Sequence, residues 1–280
     1  MKEALFYVKA GGKKVRCNLC PSNCLLNDGS RGLCNARKNT GGVLETLTYG
    51  KVSSLALDPI EKKPLDYFMP GSHILSVGTF GCNFKCSFCQ NYHISREMPA
   101  VRELSPSELC EAAGNLKNNI GIAFTYNEPI IWYEYVLDTS RLAKELGLKV
   151  VLVTNGYINP EPLEEIIQYV DAMNIDLKAF NDEFYRNICG GHLEPVKETI
   201  KAAVKKCHVE ITNLSIPGLN DSEEEMEMMS RWLASVDKNI PFHIIPFRPM
   251  YKMTDRPLQN FRKLIELQRI AKKFLNRVII

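Results

Sequence analysis

From position 73 onward, the chain changes repeatedly between two patterns of apolar and polar residues. Short apolar runs predict buried strands, and the stretches between them carry apolar residues three or four positions apart, as along one face of a helix. The predicted strands lie at 74–77, 120–126, 149–154, 172–177, 208–214, 242–246 and, more briefly, 278–280. The predicted helices lie at 105–116, 130–146, 160–170, 182–188, 195–206, 222–236 and 258–275.

Six strands that alternate with helices indicate parallel strands joined by right-handed crossovers. We expect an α/β fold, a partial (β/α)6 TIM-like barrel, with an open doubly wound sheet as the alternative. No glycine-rich dinucleotide-binding fingerprint follows any predicted strand, which favours the barrel. In barrels of this kind ligands bind at the carboxyl ends of the strands, so residues there are the first candidates for a site.

The first 57 residues lack this alternation. They carry glycine, asparagine and cysteine in quantity and few apolar runs, a composition that favours a small irregular module held together by metal. Three prolines between 58 and 72 oppose regular structure and predict an ordered connector. The predicted organisation is therefore a cysteine-rich N-terminal module at 1–57, a connector at 58–72 and a barrel at 73–280.

Composition narrows the classes of function. With 280 residues, 45% apolar and 24% charged, the chain has the make-up of a soluble globular protein, and a net charge of +3 is too small to indicate a nucleic-acid partner. The sequence has neither a signal peptide nor an apolar run that could span a bilayer, so we expect a cytoplasmic protein with no membrane partner. Ten cysteines in a reducing compartment indicate metal rather than disulfides.

Seven of the ten cysteines fall into two tight groups. The N-terminal cysteines are Cys17, Cys20, Cys24 and Cys34, and the barrel cysteines are Cys82, Cys86 and Cys89. The four thiols of the first group predict a tetrahedral zinc site, with an auxiliary iron–sulfur cluster as the alternative. The isolated Cys110, Cys189 and Cys207 are expected to be small buried side chains.

The barrel cysteines follow the first predicted strand, separated by three and then two residues. Three thiolates can hold three irons of a cubane and leave the fourth iron without a protein ligand, whereas other cubanes use four cysteines. An open coordination site is what a substrate that binds the metal directly requires, as in catalytic zinc. The alternatives are a zinc site completed by His93, or three buried thiols.

This spacing, with Phe88 before the third cysteine, resembles the motif of the radical S-adenosylmethionine (radical SAM) superfamily. Further matching stretches are 17–34, 58–65 (DPIEKKPL), 81–91, 125–129 (TYNEP), 176–178 (DLK), 216–221 (IPGLND) and 249–255. Together they are similar to homologues of pyruvate formate-lyase activating enzyme, above all to the radical SAM protein of the AmmeMemoRadiSam system. The resemblance implies a [4Fe–4S] cluster on the barrel cysteines and SAM as cofactor. It also implies reductive cleavage of SAM to methionine and a 5′-deoxyadenosyl radical, which abstracts hydrogen from a substrate.

The resemblance also implies contacts to SAM at the carboxyl ends of the predicted strands. Phe88 is expected near the adenine, and Glu128 at the methionine amino group, with a helix-start carboxylate as the alternative. Asn127 replaces a glycine of the family's GGEP-like segment, and Tyr126 replaces the other. The remaining candidates for SAM or substrate are Thr154, Asn155, Asp176, Lys178 and His243, the last with the alternative of a satisfied core histidine. No residue is expected to act as a catalytic acid or base.

Three functions are compatible with these residues. The first is an AmmeMemoRadiSam-type enzyme with an unidentified substrate, the second is a glycyl-radical-enzyme activase acting on a protein glycine, and the third is a metal-stabilised scaffold without turnover. Glu128 and the complete set of barrel cysteines argue against the scaffold. The resemblance implies an electron donor such as flavodoxin or ferredoxin, and the other proteins of the AmmeMemoRadiSam system as partners.

Overall fold

The computed structural model describes residues 2–280. Short strands build the N-terminal part: β1 (Lys2–Glu3), β2 (Tyr7–Lys9), β3 (Val15–Cys17), β4 (Leu25–Leu26), β5 (Arg37–Thr40), β6 (Val43–Thr46) and β7 (Lys51–Val52). The first six form two antiparallel sheets, with strand orders β1–β6–β5 and β2–β3–β4. This module is therefore more regular than its glycine-rich composition predicts, because its strands are too short to produce a clear alternation.

A larger, eight-stranded sheet forms the barrel. Its strands are β8 (Ser54–Pro59), β9 (His73–Gly78), β11 (Asn119–Phe124), β12 (Lys149–Thr154), β13 (Ala172–Asp176), β14 (His208–Ser215), β15 (Phe242–Pro246) and β16 (Val278–Ile279), whereas β10 (Arg102–Glu103) pairs with β7. From β9 to β16 every pairing is parallel, and β8 adds to β9 in the antiparallel direction. The parallel partial barrel is confirmed.

Helices connect successive parallel strands and cover the outside of the sheet. They are α1 (Tyr92–Arg96), α2 (Pro106–Asn115), α3 (Tyr133–Glu145), α4 (Pro160–Ile166), α5 (Asp182–Phe184), α6 (Leu193–Ala203), α7 (Glu223–Asp237) and α8 (Phe261–Ala271). Helix α2 begins with the expected capping box, in which the Ser105 side chain accepts a hydrogen bond from the Glu108 amide while Glu108 accepts from the Ser105 amide.

One predicted strand and one predicted helix end at other residues than expected, and both differences affect the site. The predicted strand 120–126 stops at Phe124, because Tyr126 has a φ of 70°, in the left-handed region. The predicted helix 182–188 divides into α5 and a π turn at Tyr185–Cys189, which ends at Gly190 with a φ of 79°. Such π turns frequently occur at functional sites.

The predicted connector does more than join two domains. Strand β8 runs across the expected boundary at 57/58, and the chain then crosses one end of the barrel. There the amides of Asp66 and Tyr67 donate to the Glu210 carboxylate on β14 at 3.1 and 2.8 Å. Ile60 and Leu65 are fully buried, in a small apolar cluster with residues of the barrel strands. Where the domains divide stays a prediction.

Buried polar contacts join the N-terminal module to the barrel. The Arg37 guanidinium pairs with the carboxylate of Glu134 on α3, and both side chains are 1% exposed. Trp132, just before α3, donates from its indole nitrogen to the carbonyl of Thr48 at 2.7 Å. A buried pair of this kind destabilises strongly when one partner is removed, so the two parts are coupled. Within residues 2–280 no helix has the length and apolar character to cross a bilayer.

Candidate active site

A cavity of about 640 Å³ opens at the carboxyl ends of the barrel strands. This is the size of a typical small-molecule site, and this end of a parallel barrel is where such sites occur. The cavity brings together most of the predicted site residues, namely Cys82, Cys86, Phe88, Cys89, Asn127, Glu128, Thr154, Asn155, Asp176 and Lys178. They come from the carboxyl ends of β11, β12 and β13 and from the loop after β9.

That loop, residues 79–91, carries all three barrel cysteines and is called the cluster loop below. The π turn holds one side of it, because the amides of Lys85 and Ser87 donate to the carbonyls of Cys189 and Ile188 at 2.6 and 3.2 Å. The π turn thus presents free carbonyls to a loop that has no strand partner. The sequence pattern predicts a helix at 182–188, but it does not distinguish an ordinary helix from α5 followed by a π turn.

The other side of the cluster loop packs on the N-terminal module. Gly81 has a φ of 89°, and a Cβ there would lie 2.3 Å from the carbonyl oxygen of Cys34. Only glycine permits so close an approach. Asn83 links the loop to β12, since its amide nitrogen donates to the Tyr157 carbonyl at 2.8 Å and its amide oxygen accepts from Asn155 at 2.8 Å.

The three barrel cysteines line the cavity, and the pKa of each thiol is raised. Burial raises the pKa of Cys82 and of Cys89, and a hydrogen bond with Cys189 followed by burial raises the pKa of Cys86. Thiolate formation therefore needs the positive charge of a metal. Cys189 is fully buried, as expected, but sequence analysis missed its contact with Cys86. Three convergent thiols beside a large cavity fit a cluster that leaves one iron open.

Glu128 is the most enclosed charged group at the mouth of the barrel. It is 2% exposed, and its carboxylate accepts from the Thr154 hydroxyl at 2.6 Å, the Asn155 amide at 2.7 Å and the Ile130 amide at 3.0 Å. Burial raises its pKa to about 7 against these donors. A carboxylate has about four acceptor positions, so one remains for a cationic ligand. Glu128 also caps the start of the helical turn that follows it, as the alternative predicts, because its carboxylate accepts from the Ile130 amide.

Asp176 and Lys178 form an ion pair at the end of β13. The Lys178 ammonium lies 2.9 Å from the Asp176 carboxylate and 5.7 Å from the centre of the Phe88 ring. Burial opposes the charge on Lys178, but Asp176 outweighs it, and the pKa of Lys178 is raised. Asn127, by contrast, is engaged with the cluster loop, because its side chain accepts from the Thr79 amide and donates to the Gly81 carbonyl.

The placement of His243 is a correction to the predicted site. This side chain is 4% exposed and pairs with Glu210 at 2.7 Å, on the same carboxylate that His208 contacts at 2.9 Å. His243 is therefore a core histidine whose hydrogen bonding is satisfied, which was the alternative prediction, and it is not among the residues that line the cavity. The reason is its position inside β15 rather than at the strand's carboxyl end. His93, the suggested fourth zinc ligand, is exposed and faces Glu97.

Sequence analysis missed a wall of the cavity that the connector supplies. Asp58, Lys62 and Lys63 line the cavity together with Tyr126. The Tyr126 hydroxyl and the Lys63 ammonium donate to the same Asp58 oxygen at 2.9 and 2.8 Å. The segment 58–65 stands out in the sequence as a motif, but nothing in its pattern predicts that it crosses the barrel.

The N-terminal cysteines surround a separate, much smaller cavity of about 20 Å³. The Arg37 guanidinium lies 3.7 Å from the sulfur of Cys17, and burial raises the pKa of Cys20 and, to about 12, that of Cys34. Across residues 2–280 no three His, Cys, Asp or Glu side chains stand in an arrangement that could hold a metal ion directly. Both cysteine groups thus line their cavities without a closed coordination shell.

Fold and site together define a partial-barrel enzyme that carries three convergent thiols on the loop after its first parallel strand. The family model described as the radical SAM superfamily matches residues 76–233. The chain belongs to the radical SAM superfamily, and it is an enzyme of that type. Membership implies a [4Fe–4S] cluster and SAM.

Individual relatives agree with this assignment. An uncharacterized protein of Methanocaldococcus jannaschii is 45% identical over 262 residues, which cover 92% of this chain and 78% of that protein. A pyruvate formate-lyase-activating enzyme of Clostridium pasteurianum is 27% identical over 70% of this chain and 88% of its own length. The crystal structure of Streptococcus suis SuiB bound to S-adenosylmethionine superposes with a TM-score of 0.57 at 14% identity, over 74% of this chain and 51% of that one. This last likeness concerns the fold alone.

Proposed function

We propose that this radical SAM enzyme is of the AmmeMemoRadiSam type and holds its [4Fe–4S] cluster on Cys82, Cys86 and Cys89. The observation that carries the proposal is the convergence of these three thiols with Glu128, Asp176 and Lys178 on one cavity. When bound, the cluster supplies the electron that cleaves SAM into methionine and a 5′-deoxyadenosyl radical. A single-electron donor such as flavodoxin or ferredoxin is the partner that this chemistry requires.

The residues around the cavity orient SAM and exclude water from it. The remaining acceptor position of Glu128 suits the methionine ammonium, because a buried carboxylate with a raised pKa gains most from a cationic partner. Asp176, which is partly exposed, is placed for the ribose hydroxyls, and Lys178 for a carboxylate. The ring of Phe88 is 5% exposed and offers an apolar surface to the adenine.

We infer that the N-terminal cysteines hold a structural zinc ion rather than a second cluster. Four thiols of one small module suit tetrahedral zinc. A cavity of about 20 Å³ has room for an atom of the size of a water molecule and not for a cubane. The nearby Arg37 guanidinium also favours thiolates over thiols.

A glycyl-radical-enzyme activase is the second candidate. The 27% identity to an activating enzyme over most of both chains favours it. Both candidates share the cleavage of SAM and differ in the substrate from which hydrogen is taken. A cytoplasmic location and the other proteins of the AmmeMemoRadiSam system as partners stay predictions.

The test is reductive cleavage of SAM by the wild-type protein. Protein reconstituted with iron and sulfide under anaerobic conditions should bind SAM and, after reduction with dithionite, release 5′-deoxyadenosine and methionine in equal amounts. Chromatography of the quenched reaction measures both products. A reconstituted protein with a full complement of iron that releases no 5′-deoxyadenosine would contradict the proposal.

A further inference from the structure

The connector forms one wall of the cavity. It is fixed to two barrel strands, since its amides at Asp66 and Tyr67 donate to Glu210, and its carbonyl at Pro64 accepts from Asn174 on β13 at 2.8 Å. These contacts hold Lys62 and Lys63 at the cavity. A segment whose only task is to join two domains does not need a buried carboxylate to anchor it.

Lys63 is an ammonium group with unused donors inside this wall. Its side chain is 4% exposed, and among residues 2–280 its only hydrogen-bond acceptor is Asp58, at 2.8 Å. The nitrogen also lies 4.9 Å from the centre of the Tyr126 ring. An ammonium has three N–H donors, so two of them lack an acceptor in a place where water access is small. Burial lowers the pKa of this lysine despite the opposing pull of Asp58.

Tyr126 occupies its position at the expense of backbone strain. Its φ of 70° is a conformation that a bulky residue rarely adopts, and the related family segment has glycine there. Gly78 makes the room, because a Cβ at that position would lie 3.1 Å from the Tyr126 Cβ and 2.8 Å from the Thr125 carbonyl oxygen. Strained residues persist where their side chains serve a function. Here the phenol reaches Asp58 and the ring covers Lys63.

Charge decides what this wall can bind. Lys62 contacts the other oxygen of Asp58 at 3.1 Å, so two ammonium groups face one carboxylate. The remaining charged residues of the cavity, Glu128, Asp176 and Lys178, belong to the part that we assign to SAM. The connector wall therefore carries an excess of one positive charge and two free N–H donors.

We propose that Lys63, supported by Lys62, binds an anionic group of the substrate, a carboxylate or a phosphate, and that Asp58 and Tyr126 position Lys63 for it. The inference rests on the proposed function, which puts the substrate in this cavity beside SAM. It gives the substrate a chemical class, a small acid, and it distinguishes this chain from an activase, whose target glycine backbone has no charge.

Thermal denaturation of the reconstituted enzyme in the presence of SAM tests the proposal. Inorganic phosphate and malonate are the two probes, each compared with sodium chloride at the same ionic strength. At about a tenfold excess over its dissociation constant, the better probe should raise the Tm of the wild type by roughly 2–5 °C. The Lys63→Gln variant should lose this rise, whereas Lys117→Gln, which changes an exposed lysine, should keep it.

A second variant guards against a Lys63→Gln protein that does not fold. Tyr126→Gly suits a φ of 70° and should fold as well as the wild type. It removes the ring over Lys63 and the hydroxyl on Asp58, so its affinity for the better probe should fall roughly three- to tenfold. An unchanged affinity would show that Tyr126 does not position the lysine.

The outcomes separate this inference from the function on which it rests. A wild type that cleaves SAM but gains no stability from either probe would overturn the inference alone, as would a Lys63→Gln variant that gains as much as the wild type. If both probes bind without SAM but not with it, the connector wall belongs to the cofactor site, and this result would also overturn the inference. A wild type that binds an anion through Lys63 but never cleaves SAM would overturn the proposed function alone.

Discussion

The two cysteine groups stand in very different surroundings. The barrel cysteines share a single loop and face a cavity of about 640 Å³, which Glu128 and Lys178 also line. Of the N-terminal cysteines, Cys17 ends β3 and the other three lie in loops, and together they line a cavity of about 20 Å³. Cysteine therefore faces a large open cavity in the barrel, and a small enclosed one beside the Arg37 guanidinium in the N-terminal module.

This difference matches the two roles that we propose for cysteine in this chain, catalysis in the barrel and structure in the N-terminal module. Catalytic metal sites leave a coordination position open to substrate, whereas structural sites close all positions with protein ligands. Three thiols beside a large cavity suit the first kind of site, and four thiols around a small cavity suit the closed zinc site that we propose. The regions still touch, because Gly81 of the cluster loop packs on the Cys34 carbonyl.

Removing the barrel cysteines should have the largest effect and should spare the other group. In a variant with Cys82, Cys86 and Cys89 replaced by Ala, we expect release of 5′-deoxyadenosine to fall to background, because no other thiols can hold the cluster at this cavity. Elemental analysis should find that the variant has lost its four irons but still contains one zinc. A variant that keeps iron and a brown colour would instead indicate a cluster on the N-terminal cysteines, and unchanged turnover would contradict the cluster assignment.

Removing one N-terminal cysteine should have the reverse pattern. Cys20→Ser removes one ligand of the zinc site that we propose, and small modules of this kind depend on metal for their folding energy. Limited proteolysis should then cut before Asp58 and leave the barrel intact, because the strands of the barrel sheet pair with one another and not with β1–β7. Wild-type resistance to protease, with unchanged metal content, would show that the four N-terminal cysteines share no site.

Local patterns were enough to predict the barrel and the cluster loop. Strands β12 and β15 have the predicted bounds, and the capping box of α2 forms as its sequence indicates. The strand ends then place the cavity residues, because parallel strands all present their carboxyl ends to one side. Glu128 lies just beyond the end of β11 as this rule indicates, whereas its expected contact with SAM was implied by the resemblance to the radical SAM family.

The connector wall could not be predicted in the same way. Lys63 contacts Tyr126 across 63 positions of sequence, and Glu210 meets Tyr67 across 143. Such contacts depend on where the chain crosses the barrel. The local pattern of apolar and polar residues does not predict this path. The prolines of this segment indicate an ordered connector, but they do not indicate the direction in which it runs. His243 was placed at the site for a related reason, since a strand pattern does not reveal a buried partner such as Glu210.

The Glu210 carboxylate should matter more for stability than for the site, and its effect should depend on pH. Burial would raise its pKa, but hydrogen bonds from His208, His243 and the Tyr67 amide outweigh burial and lower it to about 2, against an ordinary 4.5. A lowered pKa gives stability that is complete above about pH 5 and is lost as pH falls toward 2. A shift of this size corresponds to about 3 kcal/mol at neutral pH.

Denaturant unfolding of Glu210→Gln at several pH values measures this contribution. The variant should be less stable than the wild type at pH 7, by up to about 3 kcal/mol, and the gap should narrow between pH 5 and pH 3. Glu111→Gln, an exposed change on α2, is the control and should follow the wild type throughout. A gap that stays constant with pH would mean that Glu210 acts by packing rather than by charge.

Glu128→Gln should have the smallest effect of the four and the most specific one. The variant keeps the shape of the side chain and its contacts with Thr154 and Ile130 but loses the charge expected to pair with the SAM ammonium. A charge-assisted hydrogen bond of this kind contributes about 1.5–3 kcal/mol, so SAM affinity should fall roughly ten- to a hundredfold while the iron content is unchanged.

Because the pKa of Glu128 is about 7 without a cation beside it, wild-type affinity for SAM should decrease as pH falls below 7. The variant should show no such decrease, and Glu145→Gln, an exposed change at the end of α3, should behave like the wild type. Equal affinities of Glu128→Gln and wild type at all pH values would leave Glu128 with only its structural role at the start of the helix.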